Sequence, residues 1–78
     1  MKYLITGGAG VRGSHLCDFL LEIKSTKKII IIDNLKDGSK RNLNLSLKNK
    51  KVSLFKRDIR NKSSILNLFK NINIVFHL

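Results

Sequence analysis

The sequence predicts an α/β fold, and two features carry that expectation. The apolar pattern changes period along the 78 residues, passing from short β-branched runs to stretches with helical spacing and back. A glycine-rich turn, "TGGAGVRGSH" (Thr6 to His15), stands where the first run gives way to the first helical stretch.

The elements follow in order. "KYLIT" (Lys2 to Thr6) and "KIIIID" (Lys28 to Asp33) are nearly unbroken apolar runs, as strands buried on both faces are. Between them Leu16, Phe19, Leu20 and Ile23 keep the i, i+3, i+4, i+7 spacing of one helix face. "VSLFKRD" (Val52 to Asp58) alternates, with Val52, Leu54 and Lys56 on one face, and "NIVFHL" (Asn73 to Leu78) is again almost wholly apolar. Ile65, Leu68, Phe69 and Ile72 mark another helix face, behind Asn61 or Ser63 as N-cap. Around Leu43, Leu45 and Leu47 the weaker pattern predicts a short or frayed helix. The order is therefore β-α-β-α-β-α-β. Such alternation pairs strands in parallel through right-handed crossovers, with helices on both faces. The expected architecture is the first half of a doubly wound, Rossmann-type parallel sheet with strand order 3-2-1-4.

Composition narrows the function classes. A chain of this length makes one small domain with a modest core. Its 42 % apolar and 27 % charged residues are ordinary for a folded, soluble chain. No apolar run approaches the roughly 18–20 residues that span a bilayer, and the N-terminus lacks the segments of a signal peptide. The single cysteine, Cys17, is expected as a small buried hydrophobe, and its solitude fits a reducing cytoplasm. No His/Cys/Asp cluster has metal-ligand spacing, so no metal is expected. The net charge of +11 invites a nucleic-acid or membrane partner. Yet the cations are scattered, with "KNKK" (Lys48 to Lys51) the densest run, and the chain is rich in Asn and Ile; the joint bias reads as compositional drift on solvated faces. A nucleic-acid module would cluster its cations and set stacking aromatics on one sheet face. Tyr3, Phe19, Phe55, Phe69 and Phe76 sit singly instead.

Each glycine of the turn has a mechanical reason. Gly7 permits a tight exit from the first strand, Gly10 a close approach to a diphosphate, and Gly13 the packing of the helix on the strand. Free N–H groups of the first helical turn then face the anion. Asp33 ends the next strand twenty residues past Gly13 and would accept both hydroxyls of an adenosine ribose, or else simply begin a turn. A carboxylate there also repels a 2′-phosphate: two like charges 4 Å apart cost about 1 kcal/mol in water and about 4 at an effective dielectric of 20. NAD is therefore expected over NADP, with Lys36, Lys40 and Arg41 close enough in sequence to soften the preference.

"KYLITGGAGVRGSHLCDFLL", "IIDNLKDGSKRNL", "RDIRN" and "VFHL" together resemble, in order, the signatures of the extended short-chain dehydrogenases, the NAD-dependent nucleotide-sugar epimerases and dehydratases. The resemblance implies that residues 1–78 are the N-terminal part of an NAD-binding domain whose catalytic segment and substrate domain lie elsewhere. It implies that Gly7, Gly10 and Gly13, with Val11 and Arg12, cradle the pyrophosphate. Asp33 takes the ribose with Asn34 beside it, and Gly38 and Ser39 line the adenosine end. Asp58 and Ile59 meet the adenine, Asp58 having helix capping as its alternative role, and Leu78 begins a wall along the cofactor.

Two departures matter. The family's pair after the second glycine is an aromatic followed by isoleucine; here it is Val11-Arg12. A cation at a helix N-terminus costs about 0.3–1 kcal/mol without an anion. Arg12 is thus either a contact to the cofactor or a mark of drift. Family catalysis needs a Tyr, a Lys four residues on, and a Ser or Thr. The only tyrosine is Tyr3, and Gly7 stands four positions later. His15 and His77 offer no substitute and are expected on a helix surface and in a strand. The expected function is the NAD(H)-binding portion of a nucleotide-sugar 4-epimerase or dehydratase, non-catalytic alone, with the sugar nucleotide and a homodimer belonging to a full-length parent. The alternatives are a stand-alone NAD-binding or interaction module and, least favoured, a small basic nucleic-acid-binding domain. "NIVFHL" left uncovered would be an apolar edge inviting pairing.

Overall fold

Four parallel strands lie in the order β3-β2-β1-β4 in the computed structural model, which describes residues 1–36 and 38–78. The elements are β1 (Lys2–Thr6), α1 (Val11–Leu21), β2 (Lys28–Asp33), 3-10 turns at Lys40–Leu43 and Ser46–Lys48, β3 (Val52–Lys56), α2 (Lys62–Ile65) running into a 3-10 turn at Leu66–Phe69, and β4 (Ile74–His77). Strand order and parallel pairing are those expected. Asp37, the first residue of a "DG" pair, lies outside the described residues.

The sheet centre is where the β-branched runs meet. Leu4 and Ile5 of β1 pair with Ile30 and Ile31 of β2, and Leu4, Ile5, Ile29, Ile31 and Ile32 are all fully buried. Each such side chain contributes about 1.5–3 kcal/mol by leaving water. On one face Tyr3, Ile5, Ile29, Ile31 and Val52 of the strands pack with Cys17 and Leu20 of α1 and Leu43 of the first 3-10 turn. The other carries Leu4, Ile32 and Ile65, with Leu68 and Ile72 against them. Covering both faces is what makes the sheet doubly wound.

Three local expectations need correction. The buried stripe of α1 runs through Gly13, Ser14, Cys17 and Leu20, whereas Phe19 is 62 % exposed. The helix is rotated because Gly13 must meet the turn before it, and apolar spacing alone is blind to a buried glycine and serine. Around Leu43–Leu47 there are two 3-10 turns in place of a helix. The last helical stretch is a single α turn and a 3-10 turn, because Asn71 adopts a left-handed φ of 64° that ends it before β4. Asn61 does occupy the N-cap, but its Oδ1 accepts from Ser63 Oγ (2.9 Å) and caps nothing.

Three other expectations hold, for Cys17, for the cations and for the edge strand. Cys17 is buried, and burial pushes its thiol pKa up. None of the sixteen cations is buried. β4 is an exposed edge, with Ile74 and Val75 38 % and 46 % accessible. Among the described residues no helix is long and apolar enough to cross a membrane, and no cluster could hold a metal ion.

Candidate functional site

The carboxyl ends of β1 and β2 deliver the glycine turn and Asp33 side by side. Gly7 leaves β1 with φ +74°, a conformation that L side chains rarely adopt, while its N–H still donates to the Ile32 carbonyl (2.8 Å). Gly8 then lies flat on β2, where a Cβ would come within 2.4 Å of Ile31 Cγ2. A Cβ at Gly13 would stand 2.4 Å from Gly8 Cα. The third glycine therefore packs α1 against the turn itself, a correction to the strand contact expected from sequence. Gly10 differs from these three. A Cβ there would meet only the Gly7 carbonyl oxygen, at an ordinary 3.6 Å, so the fold leaves the space above Gly10 open.

Next to that space the first turn of α1 leaves hydrogen-bond donors unspent. Gly10 is the N-cap of α1 and offers no capping side chain, and the first intrahelical bond comes from the Ser14 N–H to the Gly10 carbonyl (2.9 Å). The N–H groups of Val11, Arg12 and Gly13 precede that bond and are the orphan donors of the helix end. With the dipole behind them they fit an anion such as a diphosphate.

Asp33 sits beside them, 8 % exposed. Its Oδ2 accepts the Ala9 N–H (2.9 Å) and its Oδ1 the Leu35 N–H (2.7 Å). Both roles weighed for this residue are compatible: the Leu35 bond begins a turn, and a carboxylate with about four acceptor sites keeps capacity for two hydroxyls. Ala9 is the joint of the loop. Its carbonyl accepts the Ser39 N–H (3.0 Å) and the Asn42 side-chain amide (2.7 Å). Gly38 passes so close that a Cβ would lie 2.9 Å from the Ala9 carbonyl carbon and 3.0 Å from Asp33 Oδ2.

Two adjoining cavities open here. One of about 280 Å³ is lined by Gly7, Gly10, Asp33, Asn34, Gly38 and Leu78. The other, about 130 Å³, is lined by Thr6, Gly7, Asp33, Asn34, Arg57, Asp58, Ile59 and Leu78. Eight of the twelve residues named from sequence thus share one crevice at the strand ends. Val11 and Arg12 are exposed and lie outside its lining, Gly13 is spent on packing, and Ser39 accepts the Arg41 N–H and caps a 3-10 turn. A larger cavity of about 540 Å³, beside β3, is walled by Leu35, Leu47, Val52 and Leu54 with Lys40 and Lys56 at its rim. It has neither a helix N-terminus nor a carboxylate, so the smaller pair is the better anion and ribose site despite its size.

Asp58 does not cap the next helix. It forms an ion pair with Arg60 (Oδ2 to Nη2, 2.7 Å) and accepts the Arg60 N–H, and these bonds hold its carboxyl down at about 2. Both side chains are solvent-facing. His77 Nδ1 shares a 2.6 Å hydrogen bond with Thr6 Oγ1 in the sheet, and His15 is exposed on α1. Sequence reasoning missed Gly8, Ala9, Asn42 and Arg57. The "GG" doublet was a signal for Gly8. Nothing local points from Asn42 to a carbonyl thirty-three residues away.

An open parallel sheet with a crevice at its carboxyl ends, a glycine turn opening a helix, and an acid ending the second strand define a dinucleotide-binding α/β half-domain. The NAD dependent epimerase/dehydratase family model matches residues 3–78, and the chain belongs to that family. It is 40 % identical over 80 residues to a dTDP-D-glucose 4,6-dehydratase of Dictyostelium discoideum, covering 99 % of this chain and 18 % of that one. It superposes with a TM-score of 0.93 and 26 % identity on a dTDP-glucose 4,6-dehydratase of Streptomyces venezuelae crystallised with NAD. With a UDP-glucuronic acid 4-epimerase of Bacillus cereus, crystallised with its sugar nucleotide and NAD, the TM-score is 0.87 and the identity 32 %. All 78 residues are covered in both, but only 26 % of either crystallised chain.

Proposed function

We propose that this chain is the NAD-binding N-terminal portion of a nucleotide-sugar epimerase or dehydratase and binds the adenosine diphosphate end of the cofactor. The observation that carries this is the bond from the Ala9 N–H to Asp33 Oδ2, which locks the open-topped glycine turn to the ribose-binding carboxylate across one crevice. In this reading the amides of Val11, Arg12 and Gly13 hold the diphosphate, and Asp33 holds the ribose hydroxyls and disfavours a 2′-phosphate. Asn34, Gly38, Ile59 and Leu78 shape the adenosine end, and Asp58 accepts the adenine amine from within its pair with Arg60.

Bound NAD supplies a hydride acceptor for a sugar hydroxyl. The residues present here bind and orient it, but the family's Tyr and the Lys four residues on have no counterpart among them, since Tyr3 is buried in β1 and Gly7 stands four positions later. Isomerase or lyase chemistry, the sugar nucleotide and a homodimer belong to the parent enzyme. A cytoplasmic location fits the lone buried thiol, and the scatter of the cations along the sequence does not favour nucleic acid or membrane as partner. Thermal melts of the purified chain test the reading. A cooperative transition that rises with NAD, and rises less with NADP, is expected; a transition indifferent to both refutes it.

A further inference from the structure

The cations that follow Asp33 in sequence are not the ones the fold brings to the ribose end. Lys40 rims the larger cavity by β3, and neither Lys36 nor Arg41 lines the crevice. Arg57 does. It follows Lys56, the β3 partner of Asp33, its N–H donates to the Asp33 carbonyl (3.1 Å), and it lines the same 130 Å³ cavity as Asp33 and Asn34. Its guanidinium lies 5.8 Å from the Phe55 ring centre, its Nη1 donates to the Lys56 carbonyl (2.9 Å), and it pairs with no carboxylate among the described residues. Among the described residues the one ion pair is Asp58 with Arg60. Arg60 is thereby committed, the Asp33 carboxylate already accepts two backbone amides, and Arg57 is the cation that lines the cavity without a carboxylate partner among the described residues.

We propose that Arg57 determines how far the ribose site tolerates a 2′-phosphate, so that the chain accepts NADP as well as NAD with a narrower preference than Asp33 alone would impose. This rests on the cofactor reading above. A phosphate at the 2′ position adds a dianion close to Asp33, and the guanidinium, swung from the Phe55 ring into the cavity that Arg57 lines, offsets that repulsion with a charge-assisted contact, an effect of about tenfold in affinity.

Calorimetric titration of the full chain with NAD and with NADP provides the test, read as the ratio of the two dissociation constants. Arg57→Gln is expected to raise the NADP/NAD ratio about tenfold through NADP alone, and Arg57→Lys to keep the original ratio. Arg41→Gln removes one charge outside the crevice and is expected to leave the ratio unchanged. Arg57 is exposed, so its variants should melt like the parent chain. An unchanged ratio in Arg57→Gln, equal weakening of both cofactors, or the same shift in Arg41→Gln overturns the proposal while leaving NAD binding intact. Failure of the unsubstituted chain to bind NAD at all overturns the cofactor reading together with it.

Discussion

At the centre of the sheet β1 and β2 hide Leu4, Ile5, Ile31 and Ile32 completely, whereas β4, one strand away, exposes Ile74 and Val75. The helices follow the same division. α1 runs for eleven residues and lays Cys17 and Leu20 on the core, while α2 is a single turn with only Ile65 buried. The crevice spans this divide. The end proposed for phosphate and ribose hangs from the buried strand pair and is tied to Asp33 through the Ala9 amide. The end proposed for adenine follows β3, where Asp58 is held by a solvent-facing pair with Arg60. Rigidity is thus concentrated where a charged, geometrically demanding group would dock.

The contrast can be broken most strongly at the core. Ile31→Ala removes a fully buried side chain that also supports Gly8, and a loss of about 2–5 kcal/mol is expected, enough to unfold a domain this small. Val75→Ala on the exposed edge should cost less than about 1 kcal/mol. Urea denaturation of the two variants reads the difference directly, and equal losses would mean that the edge strand is as integral as the centre.

Within the turn, two alanine substitutions should separate packing from binding. Gly13→Ala drives a Cβ into the backbone of Gly8 and is expected to destabilise by about 1–3 kcal/mol. Gly10→Ala meets no obstacle and should change stability by less than about 1 kcal/mol, yet fill the space a diphosphate needs. Its melt should therefore be nearly normal and no longer shifted by NAD. A Gly10→Ala chain that still responds to NAD would place the anion elsewhere.

The smallest effect concerns the adenine end. Its bonds to Arg60 hold the Asp58 carboxyl down at about 2, below the usual carboxylate range. A depressed carboxylate stabilises the fold fully above its unfolded pKa, and that contribution disappears as pH falls through the folded value. The pair's contribution is expected to fade between about pH 4 and pH 2, to weaken in high salt, and to be absent in Asp58→Asn. Denaturation curves across that range should differ between the two chains only at their upper end.

Strand order was legible because "KYLIT" and "KIIIID" are unbroken apolar runs that only a central parallel pair can bury. The fingerprint glycines and Asp33 were legible because their spacing reflects a local strand–turn–helix. Less local features were hidden. The face of α1 was misjudged because Gly13 and Ser14 occupy the buried stripe without contributing apolar side chains. The joint at Ala9 draws on Asp33, Ser39 and Asn42, which only the folded chain brings together, and Arg57 comes beside Asp33 through strand register rather than through sequence proximity.

Titration of NAD into the isotopically labelled chain, followed residue by residue through its backbone amide resonances, tests the central claim most directly. Shifts concentrated at Gly10–Gly13, Ala9 and Asn34 are the predicted result. Shifts centred on Leu47, Val52 and Leu54 around the larger cavity, or no shifts at all, would contradict it.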